Sequence, residues 1–102
     1  MLYVIHCRDR EGGAELRAAH TPAHAAYMCQ HAPKVILGGP LMGEDGTTRV
    51  GILVVADFDG PEAVQAFLDR EPYHQAGLFA SVSVTRFVAV DHQGPEALKQ
   101  VK

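Results

Sequence analysis

The chain has few cysteines, no long apolar run and no basic start, and each of these absences argues against a class of protein. Cys7 and Cys29 are the only two cysteines. They lack CxxC spacing, so reduced thiols are expected rather than a disulfide framework. No stretch approaches the roughly 20 apolar residues of a membrane helix. The N-terminus lacks the basic start and apolar run of a signal peptide. We therefore predict a cytoplasmic protein without a membrane partner.

The charge of the chain argues against a nucleic-acid partner. Nine lysines and arginines face twelve acidic residues, for a net charge of -3. The basic residues are scattered, and acidic neighbours offset those near the N-terminus, as Asp9, Glu11 and Glu15 do for Arg8, Arg10 and Arg17. Nucleic-acid binding is not expected from this pattern. The length of 102 residues and the apolar content of 47% predict one globular domain over 1–102.

Hydrophobic patterning predicts four strands and two helices in the order β-α-β-β-α-β. The first helix is expected to restart or kink at Thr21-Pro22, with Thr21 as its N-cap, and to end near Ala32. A second helix begins at Asp59-Gly60-Pro61. Its buried side comprises Ala63, Val64, Phe67 and Leu68, and the strands cover 2–7, 34–42, 50–58 and 79–90. This order is that of the ferredoxin-like fold, an antiparallel four-stranded sheet with two helices on one face.

Two features of the pattern concern what covers this sheet. Mostly small apolar side chains at Ala25, Met28, Cys29 and Ala32 form a stripe that would let the first helix lie close to the sheet. The third strand, "VGILVVADF", is apolar at nearly every position and is therefore predicted to be buried on both faces. No residues remain to cover the second face, so we predict a homodimer with the sheets packed face to face. The tail, 91–102, is predicted to add one short amphipathic helix outside a core of about 2–90.

The six histidines raise the question of a metal site. His20 and His24, at i and i+4, are compatible with one shared ion. Pro22 disturbs the helix between them, and His31 lies about 10 Å from His24 along the helix axis. No carboxylate or cysteine completes a ligand spacing. We predict no metal and no cofactor, and we keep a His20–His24 metal site as a lesser alternative.

His24 and Glu71 are the residues best placed for acid–base chemistry. His24 falls in an early helical turn beside the apolar stripe, where the helix N-terminus favours the neutral ring and a nearby carboxylate would fix its tautomer. Glu71 precedes Pro72 at the end of the second helix, where the helix dipole favours cations. Some other interaction should compensate for a carboxylate there. The plainer alternatives are a half-exposed helix histidine and a helix-end carboxylate.

Four segments in series, "YVIHCRD", "PAHAAYM", "KVILGGPL" and "EPYHQAGLFASVSV", resemble the YCII-related (YciI-like) domain family over residues 2 to about 90. The resemblance implies a ferredoxin-like chain that forms a dimeric α+β barrel. It also implies a catalytic His-acid pair, which falls on His24 and Glu71. The family motif begins with Asp-Pro-Tyr or Asp-Pro-Phe, whereas this chain has Glu71-Pro72-Tyr73. Glutamate keeps the charge and adds one methylene.

These expectations favour a small cofactor-independent enzyme in which Glu71 orients His24 for proton transfer. The reaction would be isomerase- or lyase-like on a small organic substrate, and the resemblance implies hydroxylated aromatics or lactones. Tyr73 and Arg86 are candidate substrate-binding residues, through a hydroxyl and a guanidinium. The alternatives are a packed ring for Tyr73 and an ion pair for Arg86. The alternative function is a non-catalytic binding or accessory module with a small metabolite in a dimer-associated pocket.

Overall fold

The computed structural model of the protein describes residues 1–90. Its strands are β1 (Leu2–Asp9), β2 (Val35–Met42), β3 (Arg49–Asp57) and β4 (Phe79–Phe87), and its helices are α1 (Ala14–Gln30), α2 (Pro61–Arg70) and α3 (Pro72–Gln75), with a 3₁₀ turn at Ala32–Lys34. The sheet order is β2-β3-β1-β4, and all neighbouring strands are antiparallel. The predicted ferredoxin-like fold is confirmed. The predicted tail helix lies outside the described residues.

The hydrophobic core lies between the sheet and the helices. Alternate side chains of β1 and β3 point to the same face because strand side chains alternate; those buried there are Tyr3, Ile5, Cys7, Ile52, Val54 and Ala56. The second helix begins at Pro61 and buries Val64, Phe67 and Leu68, as predicted, with Ala63 only partly buried. No helix within residues 1–90 is long and apolar enough to cross a membrane.

Helix α1 does not restart at Pro22, so the predicted restart was wrong. The helix runs unbroken through Pro22, and Thr21 is not its N-cap. The Thr21 hydroxyl instead donates to the Arg17 carbonyl one turn earlier, at 2.8 Å. It also lies 2.8 Å from the Tyr73 hydroxyl. Tertiary contacts on this face of α1 thus outweigh the local preference for a helix boundary.

The sheet face opposite the helices lies open in the single chain; its centre is largely apolar, while β4 adds Ser81, Ser83 and Thr85 to it. Val4, His6, Leu53 and Val55 point to this face from the two central strands, as the strand register requires. Only Val55 is buried there, because its neighbours on the sheet shield it, while Leu53 is half-buried. Leu37 of β2 is 61% exposed. Within one chain, β3 is therefore buried on the helix side and only partly buried on the open side.

Candidate active site

A cavity of about 480 Å³ opens between α1 and the strands β2 and β3. This volume lies within the range of small-molecule sites. Its walls are mainly apolar and include Met28, Val35, Pro40, Ile52 and Val54. Five polar side chains complete the lining, and they are Arg17, Thr21, His24, Arg49 and Tyr73.

Small residues of α1 and of the following 3₁₀ turn create this space instead of closing it. Ala25 and Ala32 line the cavity, and across from them β2 contributes Gly38 and Gly39. Cys29, the fourth member of the predicted stripe with Met28, is exposed on the surface. The prediction of close packing was wrong because small side chains on both sides leave a gap that larger ones would fill.

Helix α1 carries three polar groups toward one end of the cavity. Arg17, Thr21 and His24 stand at i, i+4 and i+7, and this spacing places them on one helix face. The same face meets α3, whose Tyr73 is buried among them. Sequence and helix geometry therefore concentrate the cavity's hydrogen-bonding groups at the α1–α3 contact.

His24 and Glu71 are brought together at this contact. The Nδ1 atom of His24 lies 3.1 Å from Oε1 of Glu71. An ionised carboxylate only accepts hydrogen bonds, so in the neutral form of the ring Nδ1 is the donor and Nε2 is the unprotonated nitrogen. The Glu71 side chain is fully buried, and that of His24 is 17% exposed. Glutamate reaches the ring despite its additional methylene; a catalytic role for the pair stays a prediction.

The unfavourable position of the Glu71 carboxylate at the C-terminus of α2 is compensated by its contact with the N-terminus of α3. Glu71 ends α2 through its own N–H, which donates to the Leu68 carbonyl. Its carboxylate then caps α3 by accepting from the Tyr73 N–H, at 2.8 Å and 3.0 Å to the two oxygens. A carboxylate is favourable at a helix N-terminus, where free N–H groups point outward. One residue thus terminates one helix, begins the next and holds His24.

Tyr73 supports the His24 ring from one side. The two rings stack, with centroids 4.2 Å apart and planes 19° apart. The Tyr73 hydroxyl meets the Thr21 hydroxyl and accepts a long hydrogen bond from Arg17 at 3.4 Å. The Tyr73 ring is packed, as the plainer alternative from the sequence expects, and the residue also lines the cavity. Substrate binding by Tyr73 stays a prediction.

A buried ion pair anchors Arg17 behind the cavity. Its guanidinium donates to both carboxylate oxygens of Asp9, at 2.7 Å and 3.2 Å, and to the Gly51 carbonyl at 2.9 Å. Burial acts to lower the pKa of Arg17, but the hydrogen bond and charge of Asp9 outweigh it and raise that pKa. A Cβ on Gly51 would lie 2.1 Å from the Cys7 carbonyl oxygen, so only glycine fits there.

Arg86 is not among the residues that line the cavity. It lies on β4, where its guanidinium sits 5.8 Å from the centre of the Tyr3 ring. Binding of a substrate anion by Arg86 stays a prediction from sequence. Within residues 1–90, no three histidine, cysteine or acidic side chains are grouped to hold a metal ion. His20 and His24 are therefore not joined there by a third ligand of these types.

Sequence reasoning missed several members of this site. In the sequence analysis, Arg17 and Asp9 appear only among the charged residues near the N-terminus that offset one another. Their signal was the spacing of Arg17, Thr21 and His24 on one helix face. Helix α3 was missed because its four residues are too few for a periodic pattern, although Glu71-Pro72 has the form of an N-cap followed by proline.

The buried Cys7 thiol gives a pH-dependent prediction. Burial and the charges of Glu71 and Asp9 raise the pKa of this thiol from 9.0 to about 12. Because the unfolded thiol ionises first, Cys7 removes stability as the pH rises from 9.0 to about 12. At about pH 8 we expect Ellman's reagent to modify exposed Cys29 rapidly and Cys7 only after unfolding. Rapid modification of native Cys29→Ser protein would contradict this.

Fold and site together define a class of protein: a ferredoxin-like chain with a histidine–carboxylate contact beside a small-molecule cavity. A family model for the YCII-related domain matches residues 1–88. Protein YciI of Escherichia coli O6:H1 is 34% identical over 97 residues, which cover 88% of this chain and 99% of that protein. The chain belongs to the YCII-related domain family.

The chain is also similar to solved structures, among them the two that follow. The 5-chloro-2-hydroxyhydroquinone dehydrochlorinase (TftG) of Burkholderia phenoliruptrix AC1100, in complex with 2,5-dihydroxybenzoquinone, is 30% identical with a TM-score of 0.80. The alignment covers 86% of this chain and 94% of TftG. A dimeric ferredoxin-like protein of unknown function from Thermobifida fusca is 16% identical, with a TM-score of 0.50 and coverage of 86% and 89%. The second similarity concerns the fold alone.

Proposed function

We propose that this protein is a cofactor-independent enzyme that transfers protons on a small organic substrate, in a lyase- or isomerase-like reaction. The observation that carries the proposal is the hydrogen bond between His24 Nδ1 and the buried Glu71 carboxylate. This bond fixes the tautomer in which Nε2 is a free base beside the cavity. Substrate binding by Tyr73, which lines the same cavity, is part of the proposal.

The reaction needs only one base and a place for an electron pair. His24 Nε2 takes a proton from an O–H or C–H of the substrate, and the electrons of that bond form a new double bond. In a lyase the leaving group then departs with its own bonding pair. In an isomerase the imidazolium returns the proton to another atom. Glu71 stabilises the imidazolium between these steps.

The similarity to TftG supports the lyase form of this reaction. A dehydrochlorinase removes hydrogen and chloride from its substrate, which requires a base and a leaving group. TftG is named for a chlorinated hydroxyhydroquinone and was solved with a dihydroxybenzoquinone. We therefore propose hydroxylated ring compounds as the substrate class.

Chloride release from 5-chloro-2-hydroxyhydroquinone, the compound for which TftG is named, tests the proposal. Wild-type protein should release chloride faster than a protein-free control, with an absorbance change from the quinone product. Tight binding of 2,5-dihydroxybenzoquinone without chloride release or ring-proton exchange with D₂O would instead favour a non-catalytic binding module.

We also propose that two copies pair through the open sheet face, as the sequence predicts. Leu53 and Val4 lie in the middle of this face, and Leu37 is 61% exposed at its β2 side. Burial of such a surface is favourable at about 25 cal/mol per Å² of apolar area. The T. fusca protein of the same fold is described as dimeric. A cytoplasmic location stays a prediction from the sequence.

Leu53→Asp should convert the dimer to a monomer, because it places a charge in the centre of the paired faces. Light scattering coupled to size-exclusion chromatography measures the mass directly. Ala19→Asp, on the exposed side of α1, adds the same charge elsewhere and should leave the mass unchanged. A wild-type monomer, or a dimer that survives Leu53→Asp, would refute pairing through this face.

A further inference from the structure

Arg49 is the unpaired charge of the cavity. The cavity lining contains two arginines and a histidine but, among the residues described, no aspartate or glutamate. The charge of Arg17 is neutralised by Asp9, and His24 is paired with Glu71. The side chain of Arg49 makes no hydrogen bond, ion pair or ring contact within residues 1–90. The cavity therefore carries a positive charge that a ligand can neutralise.

A β-bulge explains how Arg49 comes to line this cavity. Strict alternation would place Ile52 and Val54 on the helix side of β3 and Arg49 on the open side. The register shifts at this point, however, because Leu41 pairs with Gly51 and Met42 with Arg49, which leaves Val50 as an extra residue on β3. A bulge reverses the alternation and re-aims the side chains before it. Arg49 consequently lines the cavity together with Ile52 and Val54.

The other cations near the helix side of the sheet have partners. The guanidinium of Arg86 lies over the Tyr3 ring, and the Lys34 ammonium lies over the Phe58 ring. Arg49 instead stands at an exposed position, with its five N–H donors unused by the described residues. A guanidinium whose donors are free forms charge-assisted, often bidentate, hydrogen bonds with carboxylates and other oxyanions.

We infer that Arg49 is a substrate-binding residue that receives an anionic oxygen group, so the cavity takes small rings bearing a carboxylate or an ionised enol besides the hydroxyl that reacts. This inference rests on the proposed function, because it places the reacting hydroxyl near His24. The apolar walls at Met28 and Val35 would contact the ring itself. Specificity for charge then comes from β3, while the base comes from α1.

Binding of a matched pair of ligands tests the role of Arg49. Gentisate, a dihydroxybenzoate, and gentisamide, its uncharged amide, have nearly the same shape and differ by one negative charge. Isothermal titration calorimetry on wild-type protein should give gentisate the tighter Kd by about tenfold, as one charge-assisted contact predicts. Arg49→Gln should raise the Kd of gentisate by about the same factor and leave the Kd of gentisamide unchanged. Arg49→Lys should keep part of the preference, since it retains the charge.

Arg10→Gln is the control, because it removes an exposed arginine that does not line the cavity. It should leave both Kd values unchanged. The inference is overturned if wild-type protein does not prefer gentisate, if Arg49→Gln retains the preference, or if that variant weakens both ligands equally. Neither ligand reacts in this experiment, so failure of His24 as a base would leave the charge preference intact, and the two failures are distinguishable.

Discussion

Replacing His24 with asparagine is expected to slow turnover of a proton-transfer substrate by about 10²–10⁴-fold, the usual contribution of a positioned general base. Asparagine can keep a hydrogen bond to Glu71, but it has no basic nitrogen. The His24 side chain is part of the cavity wall rather than of the core, so the variant should fold. Chloride release from the chlorinated hydroxyhydroquinone measures the rate, and circular dichroism confirms the fold.

The control for this variant lies one turn earlier on the same helix. His20→Asn removes a half-buried histidine that does not line the cavity, and it should keep the wild-type rate. Glu71→Gln should also lower the rate of turnover. Its amide oxygen can still cap α3, but its NH₂ can now donate to Nδ1, which favours the tautomer with the proton on Nε2 and removes the base. Wild-type turnover in His24→Asn would show that another group takes the proton.

Replacing Arg17 with methionine is expected to lower the free energy of unfolding by about 3–5 kcal/mol, the cost of breaking a buried ion pair on one side. The side chains of Arg17 and Asp9 are only 7% and 8% exposed. Without the guanidinium, the Asp9 carboxylate would remain buried without its partner, and the Gly51 carbonyl would lose the Arg17 donor. For a small domain with about 5–15 kcal/mol of total stability, this is a large fraction.

Urea unfolding at a fixed protein concentration measures this loss. The double variant Arg17→Met/Asp9→Leu separates the penalty of an isolated charge from the value of the pair. It should recover part of the lost stability, because replacing both charges with apolar groups avoids the buried orphan carboxylate. A loss below about 1 kcal/mol in Arg17→Met would mean that water reaches Asp9 and that the pair behaves like a surface salt bridge.

The sequence predicts the fold well because the strands have strong local signals. The apolar run of β3 and the Pro61 start of α2 are visible without any tertiary information. Helix α1 was predicted less well, because Thr21-Pro22 has the local form of a helix start. The contacts of Thr21 with Tyr73, 52 positions away in the chain, cannot be read from a local window.

The site was predictable only in part, and for similar reasons. The pairing of His24 with Glu71 was inferred from family resemblance, and the structure places their side chains in contact. Arg17 was readable in principle from helical spacing. Arg49 was not, because its place in the cavity depends on a bulge at Val50 that changes the alternation of β3. The sequence has no local mark of that bulge.

The division of the cavity between two kinds of element has a consequence for how such proteins diversify. The proposed base and its carboxylate belong to α1 and to the junction of α2 with α3, where the Glu71 cap ties chemistry to folding. Much of the remaining wall belongs to β2 and β3. Under the proposed function, substitutions at the cavity-lining positions of those strands would alter which molecules are accepted and leave His24 and Glu71 in contact. The range of ligands and the proposed proton transfer can therefore change independently of one another in this fold.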